Sequence, residues 1–275
     1  MRAALQRFAR NRLAVFGACV LLGLLILVVI SPLVFPGDPF RLAGKPLQPP
    51  GQAFLLGTDT LGRDVAAGIA YGARTSLLIG VGSTLSAILF GSIVGGIAGY
   101  YRGGVEIVLM RVTEFFQTIP AFVLAILIVA ILSPSVPSEI IAIAAVSWPG
   151  IARLVRGEFV VLGGREFVQA CAGLGASDAR IIFHHMLPNC ASSIIAVGSL
   201  LIGTSILTEA GLSFLGLGDP NVMSWGLIIS AGRAVLRSAW WICTFPGVAI
   251  LLTVLGVNLV GDGLNEALNP KLAIR

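Results

Sequence analysis

His184 and His185 stand shortly before Cys190. Imidazole beside thiol could supply a base and a nucleophile, or metal ligands. Adjacent helical residues point about 100° apart, so the two rings do not converge on one ion. No serine or cysteine nucleophile motif accompanies them. They read as interface or polar-face residues. Cys19, Cys171, Cys190 and Cys243 form no C-x-x-C pair, which signals neither zinc nor redox chemistry. Cys19 and Cys243 lie in apolar runs, as packing residues do. Asp59 and Asp64 are too few for a metal site. Glu209, in GTSILTEAGLSFLGLG, is the remaining reactive group inside an apolar segment. An ionisable group in lipid faces protein or water. It could line a substrate path, carry protons, or sit near the outer interface, solvated or paired structurally. Its place in the outer half of its segment favours the structural role.

The elements that must position these residues follow from composition. Of 275 residues, 56% are hydrophobic and 11% charged. Soluble domains carry about 25% charged residues, so too few charges remain to coat a water-facing surface. The chain reads as an all-α integral membrane protein. Its net charge of +5 could suggest nucleic acid, but no basic run is interleaved with aromatics. The basic residues instead report orientation.

About 20 apolar residues cross the hydrocarbon. Six segments qualify, at roughly 13–35, 76–101, 106–132, 139–155, 191–217 and 240–261. The first follows Arg2, Arg7, Arg10 and Arg12 and ends in SPLVFPGDP, without a small-x-small cleavage site, so it is expected to be retained. The fourth is short and holds Pro149, which leaves a re-entrant segment open. With six spans and both termini cytoplasmic, twelve of the eighteen Lys and Arg fall inside, a moderate bias of the expected sign.

This divides the chain into a first helix and outer loop (1–75), a helical transmembrane unit (76–265) with a cytoplasmic loop at 156–190, and a tail (266–275). In the outer loop, Thr58, Asp59 and Gly62 carry turn chemistry. Arg63 and Asp64 either pair or are solvated. Gly91, Gly95 and Gly99 repeat every fourth residue, which predicts a helix face that another backbone approaches closely. Arg111 and Glu114, three apart, are placed for a local ion pair.

Residues 165–189, REFVQACAGLGASDARIIFHHMLPN, are polar and small between two apolar segments. The pattern predicts a first helix over 165–174 closed by Gly175. Ser177 can cap a second, with Asp178 in its first turn, running through ARIIFHHML and stopping near Pro188. Glu166, Gln169, Ala170 and Gly173 share one face of the first helix. That face suits a knob docking on a water-soluble partner.

These residues resemble the cytoplasmic EAA loop of binding-protein-dependent ABC importer permeases. Gln169, Ala170 and Cys171 occupy the E-A-A positions, Gly175 the glycine, and Leu187 and Pro188 the L-P. Departures are Gln169 for Glu, Cys171 for Ala, and His185 where an aliphatic residue is common. They weaken a charge-based contact and leave the helical shape intact. FLLGTDTLGRDV, GARTSL, WPGIARLVRGE, LSFLGLG, SWG, FPG and NLVGDGLNEALNPKL extend the likeness to the dipeptide, oligopeptide and nickel branch, on its second permease subunit.

The resemblance implies a type I ABC importer permease fold in a bacterial inner membrane. It implies a homologous second permease, two ATPase subunits and an extracytoplasmic solute-binding protein. Glu166, Gln169, Ala170, Cys171, Gly175, His185, Leu187 and Pro188 would couple to the ATPase. No G-x-x-x-x-G-K-[ST] phosphate loop occurs, so ATP and Mg²⁺ belong to partner subunits and this chain needs no cofactor or metal of its own. Short peptides are the expected substrate, with nickel or another small solute as the alternative. An ion-coupled secondary transporter is a further rival, resting on Glu209 alone.

Overall fold

The computed structural model describes residues 7–51 and 53–268. Lys271, Arg275 and most of the expected tail lie outside them, as does Arg2. Helices dominate because lipid offers backbone N–H and C=O groups no partner, and a helix satisfies them internally. Helix α1 is Arg12–Val34. Helix α2 is Val65–Tyr101 and starts well before the expected 76. Then come α3, Gly103–Thr118, and α4, Ala121–Leu132. Helix α5 is Val136–Gly163 and α6 is Glu166–Gly173. Helix α7 is Asp178–Phe214, α8 is Trp225–Gly232 and α9 is Trp241–Leu268.

Five of these helices are long and apolar enough to cross a membrane: α1, α2, α5, α7 and α9. The expected straight span at 106–132 is instead broken. α3 and α4 meet at 87°. Pro120 follows Ile119, whose backbone is extended (ψ 130°), as the residue before proline prefers. Contacts fix the path. α2 ends beside the short helices, where Tyr100 bonds Asp178. α5 begins at the opposite end, where the Val136 N–H donates to Asp219 after α7. The bent pair therefore carries the chain from one end of the bundle to the other, and counted as one span it makes a sixth candidate.

Residues 139–155 lie within α5, a single helix long and apolar enough to cross a membrane. α5 runs through Pro149 without ending. Proline removes one ladder bond. Trp148 beside it packs edge-on against Phe90 (5.0 Å) and Phe116 (5.3 Å).

The glycine stripe sits at the α2–α5 contact. A methyl added at Gly91 would lie 2.7 Å from the Trp148 carbonyl oxygen, and one at Gly99 2.6 Å from Phe159 Cβ. One at Gly95 would run into the Ala152 carbonyl. The small residues let two backbones touch, and dispersion over that contact replaces the hydrophobic effect that lipid removes. α1 is joined to α9. Asn11 caps α1, accepting from the Leu13 and Ala14 N–H groups, and donates to Glu266 at 2.8 Å.

The loop between α1 and α2 is pinned by its own polar groups. Asp59 Oδ1 accepts from the N–H of Leu61 and of Arg63, each at 2.8 Å. Thr58 Oγ1 donates to the Lys45 carbonyl and accepts from Gln48 N–H. Arg63 and Asp64 do not pair: Asp64 caps α2 through Ala66 N–H, and Arg63 lies over the Phe40 ring.

Candidate functional site

Residues 164–177 form an elbow at one end of the bundle. α6 exposes Glu166, Gln169, Ala170 and Gly173, as its spacing requires, and turns Val168 inward. Val168 joins Phe159 and Val155 of α5 with Ile181, Met186 and Cys190 of α7 in one apolar cluster. That cluster ties the elbow to two spans. Cys171 is half-buried at its edge.

Gly175 has φ +80°, a left-handed conformation that costs other residues about 1–2 kcal/mol. The N–H groups of Gly175 and Ala176 bond back to the carbonyls of Ala172 and Cys171, closing α6. Ser177 has the backbone angles of a cap but makes no side-chain cap bond.

The helix beginning at Asp178 does not stop near Pro188. It runs unbroken to Phe214, so elbow and fifth apolar segment are one rod. The break expected at Pro188 is absorbed by a π-helical stretch, Ile181–Met186, which holds His184 and His185. Proline has no N–H to donate. That leaves the His184 carbonyl without its i+4 donor; next to it, Asn189 Nδ2 donates to the His185 carbonyl at 2.6 Å. Leu187 and His185 are half-buried and Pro188 is exposed. The histidines reach no shared ligand, and among the described residues no group of three His, Cys, Asp or Glu could hold a metal.

Two further bonds bind the elbow end to the bundle. Tyr100 Oη donates to Asp178 Oδ1 at 2.8 Å. Arg102 donates to the Val160 carbonyl at 2.8 Å.

Sequence reasoning missed Leu174. It is 88% exposed at the tip of the elbow, between the two short helices. Its signal was present: an apolar residue directly before the left-handed glycine has no bundle to face.

Glu209 is wholly buried. Its carboxylate accepts from Ser76 Oγ (3.1 Å) and Ser213 Oγ (3.0 Å), and Ser76 Oγ in turn accepts from Trp225 N–H. A second buried carboxylate, Glu139, went unnoticed because it sits at the margin of the weakest apolar segment. Its Oε1 accepts from Asp219 N–H at 3.1 Å, while Oε2 has no hydrogen-bond partner. Arg111 and Glu114 form the expected pair at 2.9 Å, on the exposed face of α3.

Comparison with known proteins agrees with this geometry. Residues 87–274 match the family described as binding-protein-dependent transport system inner membrane component. Residues 1–50 match the N-terminal transmembrane domain of oligopeptide transport permease C. The chain belongs to the binding-protein-dependent permease family and is a multi-pass protein of the cytoplasmic membrane. It is 40% identical to the dipeptide transport system permease protein of Alkalihalophilus pseudofirmus, across 98% of this chain and 90% of that one. It is 40% identical to the di/tripeptide transport system permease protein of Pseudomonas aeruginosa (97% and 91%). To the oligopeptide permease protein of Bacillus subtilis it is 36% identical (98% and 89%). A solved methionine ABC transporter in an inward-facing conformation shares the fold: TM-score 0.62 at 18% identity, covering 74% of this chain and 96% of that one.

Proposed function

We propose that this chain is the second permease subunit of an ATP-driven importer of short peptides, and that the elbow receives the push of a partner ATPase. The carrying observation is the elbow's construction. An exposed polar knob with an apolar tip is welded through Val168 and the unbroken α7 to the centre of the bundle. Such a lever passes displacement on instead of dissipating it, because packed elements switch between discrete arrangements.

In this reading the elbow faces the cytoplasm, as the distribution of Lys and Arg favours. ATP and Mg²⁺ reside in two ATPase subunits. A homologous permease completes the passage, and a solute-binding protein delivers substrate to the loop between α1 and α2. Peptides rather than nickel are the cargo, in keeping with the peptide-transport names of the relatives. No chemistry is asked of this chain; it couples and conducts.

The test is uptake of radiolabelled di- and tripeptides by vesicles holding the copurified complex. ATP-dependent uptake is expected. Uptake driven by an ion gradient without ATP would replace this reading with a secondary transporter.

A further inference from the structure

Charged side chains line a cleft of about 490 Å³ between α3 and α5, formed by Glu106, Met110, Arg111, Glu114, Arg153 and Arg156. α3 runs antiparallel to α5. Glu106 pairs with Arg156 near the elbow end, and Phe116 meets Trp148 further up. The cleft opens at the elbow end, where Gly103 belongs to its lining, and extends along both helices. Arg153 lies roughly 15 Å along α5 from Gly163, and Arg111 roughly 12 Å along α3 from Gly103, at 1.5 Å per residue.

Charge on a membrane-spanning helix is costly against lipid and is found facing water or protein. Here it faces outward from the chain: the Arg111 side chain is 78% exposed. Two guanidiniums have carboxylate partners, Arg156 with Glu106 and Arg111 with Glu114. Among the described residues, Arg153 has no acidic partner within salt-bridge distance. The cleft therefore carries one spare positive charge beside an exposed carboxylate, Glu114.

We propose that this cleft is a wall of the aqueous passage and a way-station for a zwitterionic solute. Arg153 receives the carboxylate of the solute and Glu114 its ammonium group. The proposal deepens the peptide-import reading and rests on it. A planar guanidinium takes a carboxylate through two parallel hydrogen bonds, which an ammonium does not.

Two measurements on the assembled complex decide it. In the first, Met110→Cys is exposed to a membrane-impermeant thiol reagent in detergent-free nanodiscs, with labelling read above the unsubstituted complex. Ready modification is expected; protection means that the partner permease fills the cleft and overturns the proposal. In the second, uptake of a dipeptide is compared with that of its C-terminally amidated form, using the same binding protein throughout. Arg153→Gln should lower uptake of the free-carboxylate peptide about tenfold or more, the worth of one charge-assisted hydrogen bond, and spare the amide. Arg153→Lys should recover part of the loss. Equal loss for both peptides, or no loss for either, overturns the proposal. A complex that imports no peptide overturns the substrate reading, and the thiol arm then still decides whether the cleft is wet.

Discussion

The Tyr100 hydroxyl lies 2.8 Å from Asp178 Oδ1, joining the last turn of α2 to the first turn of α7. α2 carries the glycine stripe against α5, and α7 is the rod that continues the elbow. One hydrogen bond thus couples the lever to the closest helix pair of the bundle. Tyr100→Phe keeps the ring and loses the bond, at a cost of about 1 kcal/mol. The expected outcome is a folded complex whose ATPase rate persists while uptake falls several-fold. Unchanged uptake per ATP hydrolysed would show that this bond carries no coupling.

Leu174 supplies a separate test of the knob. An apolar side chain 88% exposed at the tip of a water-facing elbow is a docking residue or a liability. Leu174→Asp leaves the bundle untouched, because the side chain meets none of its core. Copurification of the ATPase should fall by about thirtyfold, as expected for a residue worth 2 kcal/mol at an interface. Gly175→Asp should act in the same direction through the strained backbone, with membrane insertion preserved. Normal capture of the ATPase by both variants would count against the elbow as its seat.

The α2–α5 contact predicts an asymmetry between glycines. Gly95→Ala drives a methyl toward the Ala152 carbonyl and should destabilise the protein by about 1–3 kcal/mol, the usual penalty of overpacking. Gly104→Ala meets nothing within 4 Å and should be close to neutral. Thermal unfolding of the two variants in detergent measures the difference.

Glu209 can be sorted by paired substitutions. Glu209→Ala removes the acceptor for Ser76 and Ser213 and should cost about 1–3 kcal/mol in unfolding, as leaving buried hydroxyls without a partner does. Glu209→Gln keeps one carbonyl oxygen among the serines and should retain most of the fold and of the uptake. A well-folded Glu209→Gln protein that transports nothing would assign the carboxylate to the passage instead.

Much of this arrangement could be read from residue types, and the exceptions have physical causes. Apolar length located α1, α7 and α9, and four-residue spacing located the glycine contact. The bend between α3 and α4 was hidden because Ile119–Pro120 interrupts a run that is apolar on both sides, and hydropathy does not register direction. Pro149 left a re-entrant segment open and Pro188 suggested an ending, yet both lie inside continuous helices. In the first case the helix continues beside the packed rings of Trp148, Phe90 and Phe116. In the second a π-helical stretch takes up the misfit. The elbow was legible because Gly175 and a polar face stand out between lipid-soluble segments. Leu174 and the cleft around Arg153 were not, since both depend on what lies nearby in space.

The most direct measurement places the elbow relative to the membrane. Gln169→Cys, in protein whose Cys171 is replaced by alanine, is treated with an impermeant maleimide in sealed right-side-out vesicles. Protection until the vesicles are opened, followed by loss of labelling when the ATPase is bound, is the predicted result. Rapid modification in intact vesicles would put the lever on the wrong face and contradict the account.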